Sequence, residues 1–163
     1  MTDRLLYNVE LERHDWPALT VCGGTAVEIP QTVEAMLSSS DADEVERHYW
    51  QLENRAVVQG QLYSSAPPLV SVLIAALLGE LSRPARIGAL ELLYQLVTGT
   101  SHPEEAEAHP DLGDECQKKA REGLWVLYRE LLHGESDAAK DILDVIETDP
   151  GRLRFYLAQL VHG

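Results

Sequence analysis

Histidine, cysteine and carboxylate side chains are the residues most able to do chemistry in this 163-residue chain. His102, His109, Asp114 and Cys116 lie close in sequence and offer the nitrogen, oxygen and sulfur donors that zinc accepts. Their spacing matches no compact ligand signature, and His109 is tied to Pro110 in a polar stretch, so the expectation is an ordinary loop and no metal. Glu44 and His48 fall one helical turn apart but lack the second histidine of a His-Glu-x-x-His arrangement. Acidic side chains are plentiful at Asp41, Asp43, Glu44 and Glu46, at Glu104, Glu105 and Glu107, and at Asp137, Asp141 and Asp144. Glycoside-type chemistry needs two of them fixed across a cleft. Asp137, Asp141 and Asp144 instead share one helix face opposite Ile142 and Val145, which reads as the solvated side. Cys22 and Cys116 have no base that the sequence identifies, and Cys116 reads as a small apolar core residue. Gly23-Gly24 is not followed by the lysine and hydroxyl of a phosphate loop. The expectation is therefore no catalytic residue, no cofactor and no metal.

The stretch Arg47 to Arg55 carries a different kind of chemistry. Its spacing turns Tyr49 and Leu52 inward and leaves Arg47, Trp50 and Asn54 on another side of the same helix. Tryptophan, tyrosine and arginine are the residue types enriched where proteins bind one another. Arg47, Trp50 and Asn54 are accordingly the candidate protein-binding face. The plainer alternative is a half-buried Trp50 packed on the N-terminal arm.

A helical frame must position these residues. The run Ala66 to Gly79 opens with Pro67-Pro68, closes at glycine and has Ser71 as its one polar residue between Leu69 and Leu78. A helix apolar all round is a membrane span or the middle of a core, and this run is too short to span. The expected centre is thus residues 66–78, enclosed by a helix within 41–60, a helix over 84–97 and the N-terminal arm. The 84–97 helix carries Ile87, Leu90, Leu93, Tyr94 and Val97 on its inward side. A short helix follows Pro30, one long helix runs from Asp114 to His133, another begins at Ser136, and a last one follows Asp149-Pro150-Gly151. Residues 1–29 form an arm and loop in which Tyr7, Val9 and Leu11 permit either a short strand or a helix turn, and Trp16-Pro17 marks a bend. The division is a single domain over 1–163, with a first helical half at 30–98, an exposed acidic loop at 99–113 and a second helical half at 114–163.

Charge narrows the partners. The chain holds 27 acidic and 13 basic residues, a formal net charge of -14. That field repels phosphate backbones and disfavours nucleic acid. It suits a basic protein partner, and it also serves solubility. The polar start Met1-Thr2-Asp3-Arg4 is unlike a secretory leader and no stretch is long enough to span a bilayer, so the expected location is cytoplasmic.

Similar helix starts recur near 41, 83 and 113, and Arg86 is followed by Ala89-Leu90 and Leu93. In these features the chain resembles HEAT-like and armadillo-like repeat proteins, although Arg86 sits one place early relative to their commoner spacing. Gly23-Gly24-Thr25-Ala26-Val27-Glu28-Ile29-Pro30, Val58-Gln59-Gly60-Gln61-Leu62-Tyr63 and Ala66-Pro67-Pro68-Leu69 are similar to small bacterial HEAT-like proteins of uncharacterised function. The resemblance covers roughly residues 22–148 and implies an all-α fold, an irregular stack of helical hairpins forming an α–α superhelix behind a short N-terminal arm. It also implies an extended surface for another protein, hence a protein-binding or regulatory module. Three alternatives remain at this point: an enzyme or small-ligand protein with a pocket between helices, an immunity- or antitoxin-like inhibitor of a partner, and a structural dimer with Trp50 or Phe155-Tyr156 at a symmetric contact.

Overall fold

The computed structural model describes residues 4–161. The fold is all-α, a helical stack with a few two-residue strands. Its helices are α1 (Leu6–Arg13), α2 (Ile29–Ser38), α3 (Ala42–Glu53), α4 (Ala66–Leu77), α5 (Arg83–Val97), α6 (Leu112–Arg121), α7 (Leu124–His133), α8 (Ser136–Ile146) and α9 (Pro150–Val161). Strands β1 (Thr20–Val21) and β2 (Gly24–Thr25) make one small hairpin. Strands β3 (Val57–Val58) and β4 (Gln61–Leu62) make another, and β5 (Thr100–Ser101) joins it parallel to β4. Among the described residues no helix is long and apolar enough to cross a membrane.

Local chemistry starts the helices where it should. The Asp41 carboxylate accepts the Asp43 and Glu44 backbone N–H groups at 2.8 and 3.3 Å, filling donors that the first turn of α3 leaves open. The Ser82 hydroxyl accepts the Ala85 N–H at 3.2 Å and donates to the Ser39 carbonyl at 2.7 Å, so one side chain both caps α5 and ties it to the end of α2. Pro67 and Pro84 sit in first turns, where the missing N–H has no helical partner to lose. Trp16 anchors the bend after α1: its ring is buried and its Nε1–H donates to the Leu11 carbonyl at 2.7 Å.

The helices form two layers. One contains α1, α4 and α6; the other contains α2 and α3, α5 and α8. α4 is the buried middle, with Leu69, Val70, Val72 and Leu73 fully inaccessible. The arm does flank it through α1, and α5 covers it from the second layer. The expected wall from 41–60 is displaced: α3 packs on α2 and α5, and α6 takes the place beside α4. The reason lies between them. The β3–β4 hairpin, with Val57 and Leu62 fully buried, carries the chain from one layer to the other before α4 begins.

The single helix expected over 114–133 is two. The break falls at Glu122 and Gly123, where a Cβ on Gly123 would lie 2.5 Å from the Ile74 Cγ2. The chain turns there so that α7 can start against α4. Arg129 then donates from Nη2 to the Leu77 carbonyl at 2.7 Å, satisfying an acceptor at the end of α4.

The acidic loop at 99–113 is exposed over most of its length, as at Glu104 and Glu107, but it is tied down. β5 holds its start. The Glu105 side chain turns inward and accepts a hydrogen bond from the Thr20 hydroxyl, which lies 2.8 Å from the Ser64 hydroxyl. His102 stacks on Tyr63 with ring centroids 4.8 Å apart.

At the other end, Leu153 is the buried anchor of α9. Arg152 donates to both Glu147 carboxylate oxygens at 2.8 Å, and the Tyr128 hydroxyl donates to the same group at 2.6 Å. The guanidinium also covers the Trp125 ring, 5.3 Å from its centroid. Held mainly by Arg152, Glu147 ionises at about 2.

Leu73→Asp should abolish the cooperative thermal transition, because an unpaired carboxylate at a site with no exposure has nothing to compensate its lost hydration. Leu78→Asp, at a half-exposed position near the end of the same helix, should melt within a few degrees of the parent. A parent-like melt for Leu73→Asp would overturn the central place of α4. The Glu147 cluster predicts a pH signature. A carboxylate whose folded value lies below the ordinary 4.5 stabilises fully above that value and loses its contribution as pH falls toward about 2. The stability gap between the parent and Glu147→Gln, read by urea unfolding, should be constant above pH ~5 and shrink steadily below it.

Candidate functional site

α5 is where the two layers meet, and most of its residues are buried. One stripe borders open space: Pro84, Ile87 and Glu91, then Tyr94 and Gln95, following the three- and four-residue spacing of a helix face, with Gly88 buried at its base. α3 walls this stripe at its first half and α8 at its second, leaving a trough with α5 as its floor.

α3 contributes the main side chains. Val45, Tyr49 and Leu52 face the core. Trp50, on the next face, is 50% exposed and meets the Tyr49 ring edge-on with centroids 5.3 Å apart. Trp50 separates two hollows. One, of about 510 Å³, lies between α3 and α5 and includes Glu46, Tyr49, Ile87 and Glu91. The other, of about 500 Å³, lies toward the β1–β2 hairpin and includes Cys22, Gly24, Gln51 and Asn54. Tyr49 and Glu91 also line a third hollow of about 390 Å³ with Tyr94, Ala138 and Asp141, so the trough continues past Glu91.

The candidate face is therefore partly assembled. Trp50 and Asn54 share a hollow, and the Asn54 amide donates from Nδ2 to the Trp50 carbonyl at 2.8 Å, which fixes the end of α3. Arg47 is exposed one turn earlier and lines neither hollow; its Nη2 lies 3.7 Å from Glu44. The half-buried Trp50 packs on its own neighbour Tyr49 and borders the β1–β2 hairpin. Sequence spacing missed the α5 and α8 contributions. Tyr94, expected among the inward residues of α5, is 38% exposed in the trough. The available signal was Glu91 and Gln95, polar residues on either side of it in an otherwise apolar helix.

The depth of the trough depends on Gly88. A Cβ there would sit 2.8 Å from the Val45 Cγ1 and 3.6 Å from the Met36 Sδ, so glycine lets α3 lie close along α5. The electrostatics are negative. Burial, with the charges of Glu53 and Glu91 behind it, pushes the Tyr49 phenol up to about 12, and it stays protonated at neutral pH. The cations at the rim are already matched: Arg83 bonds Glu135 at 2.8 Å, and Arg55 bonds Glu28 at 2.7 Å.

The other groups weighed for chemistry are dispersed. Among the described residues no three His, Cys, Asp or Glu side chains gather closely enough to hold a metal ion. Cys116 is fully buried and burial pushes its thiol up, away from the reactive thiolate. His48 pairs with Gln51 at 3.1 Å. The His102 Nδ1 accepts the Glu104 N–H at 3.0 Å, which places the proton of the neutral ring on Nε2. Tyr63 beside it is pushed up by burial and by Cys22, so the phenol keeps its proton. What the trough offers is shape, aromatic surface and negative charge. Comparison of the chain with protein-family models, with curated proteins and with solved structures finds no match.

Gly88→Ala should destabilise the fold by about 1–3 kcal/mol in urea unfolding, the usual cost of forcing an extra methyl into packed helices. An unchanged midpoint would mean that α3 and α5 are not in close register at this point.

Proposed function

We propose that this protein is a binding module for another protein, in the cytoplasm, and that it engages its partner through the face centred on Trp50. The observation that carries this reading is a large aromatic ring held half-exposed on a fixed ridge between two hollows. An anchored tryptophan offers wide contact area at little entropic cost, and residues of this type supply much of the energy at protein interfaces. The frame beneath it supports the same reading: Tyr49 and Leu52 are buried, and Asn54 locks the helix end. The resemblance to HEAT-like repeat proteins points the same way, since stacked helices present extended surfaces. An inhibitor that covers its partner's working surface with this acidic face is a specific form of the same function.

A photo-crosslinking residue placed at Trp50 should give one discrete adduct in cells of the source organism. The same residue at Lys118, exposed on α6 in the other layer, should give none. Trp50→Ala should retain the parent's thermal stability within a few degrees and lose the partner in affinity purification. No adduct at position 50, or equal adducts at both positions, would overturn the proposal.

A further inference from the structure

The shape and charge of the trough also specify a class of partner. Resting on the reading of Trp50 as the contact point, we propose that the trough seats an amphipathic helix of the partner protein, with its apolar side down and Lys or Arg side chains along its flanks.

Length comes first. The open stripe of α5 extends from Arg83 to Gln95, and at 1.5 Å per helical residue that is about 18 Å. It accepts about twelve residues of a partner helix, or a little over three turns. Secondary structure comes next. The floor and walls are helix side chains, led by Trp50, Tyr49, Ile87 and Tyr94. An extended strand laid there would press its backbone N–H and C=O groups against an apolar surface with no sheet edge to pair with. A helix satisfies those groups internally and needs only an apolar stripe.

Charge fixes the flanks. Each element of the trough supplies one acid: Glu46 from α3, Glu91 from α5 and Asp141 from α8. All three are exposed, and none is in an ion pair among the described residues. The cation lining the trough, Arg83, is turned to Glu135 outside it. The trough therefore keeps three carboxylates outside any ion pair, Glu46 and Asp141 on its walls and Glu91 on its floor. An acidic or neutral helix would leave them unmatched, while a basic one offers them cations, and complementary charge raises the association rate and selects the partner.

The test uses three labelled synthetic peptides of about fourteen residues. One is a side-chain-crosslinked Leu/Lys amphipathic helix, the second its Leu/Glu counterpart, and the third the Leu/Lys sequence with a central proline. Fluorescence anisotropy should show the first binding at low salt and weakening about tenfold at high salt, where surface charges are screened. The other two should bind at least about tenfold more weakly. Neutralising the trough with Glu46→Gln, Glu91→Gln and Asp141→Asn should cost the first peptide about tenfold. The same number of changes on the acidic loop, Glu104→Gln, Glu107→Gln and Asp111→Asn, should leave it unchanged, which separates the trough from the overall charge of -14. Equal binding of the Leu/Glu or proline peptide, or equal effects of the two triple variants, would overturn the inference. So would failure of the Leu/Lys peptide to bind. If the position-50 adduct persists in any of those cases, the binding module stands and only its helical, basic partner falls. If the adduct is absent too, both fall.

Discussion

The burial of α4 is the constraint on which the rest of the fold depends. A helix with apolar side chains on every face cannot leave any of them in water, so helices must cover it on several sides. α1 and α6 flank it, α5 lies across it, and the break at Gly123 brings the start of α7 onto Ile74. The short loops and small hairpins follow from that demand. The β3–β4 hairpin changes layer, and the strap at 99–113 returns the chain from α5 to α6 while β5, Glu105 and His102 hold it to the hairpin and to Thr20.

Covering α4 has a second consequence. α5 spends much of its surface on α4 and α6 and meets α3 and α8 along its flanks, which leaves one narrow stripe uncovered. Because Gly88 allows α3 to approach closely, that stripe is recessed and does not stand proud. The trough is thus a by-product of packing, and its lining combines residues from three separate helices. Its negative potential arises locally, from carboxylates outside any ion pair among the described residues, and not simply from the excess of acidic residues over the chain. That distinction matters for recognition, because a diffuse charge speeds encounter with any basic partner, whereas carboxylates set among the aromatic side chains of α3 and α5 favour one orientation.

Much of the fold was legible before the structure. The proline and glycine boundaries of α4, the bend at Trp16 and the apolar stripes of α3 and α8 are local signals, and each is set by groups a few residues apart. The long helix at 114–133 was misread because Gly123 fits the helical spacing of small residues as well as it fits a break. Only the presence of Ile74 against it makes the break necessary. The position of α3 was misjudged for a related reason: adjacency in sequence suggested that it covers α4, while the hairpin between them moves the chain to the other layer. Glu105 looked like one more exposed acid in a polar loop, since its partner Thr20 is far away in sequence.

Sequence alone determined that the chain is helical, acidic and built around residues 66–78, and that Trp50 stands outside the core face of its helix. These follow from side-chain type and from the 3.6-residue period, which act over a turn or two. The tertiary structure decided what Trp50 stands beside. It set Arg47 apart from the hollows, brought Tyr94, Glu91 and Asp141 into one trough with Trp50, and turned Glu105 inward. Those placements depend on contacts between helices distant in the chain, and no periodicity within one helix encodes which neighbour it will meet.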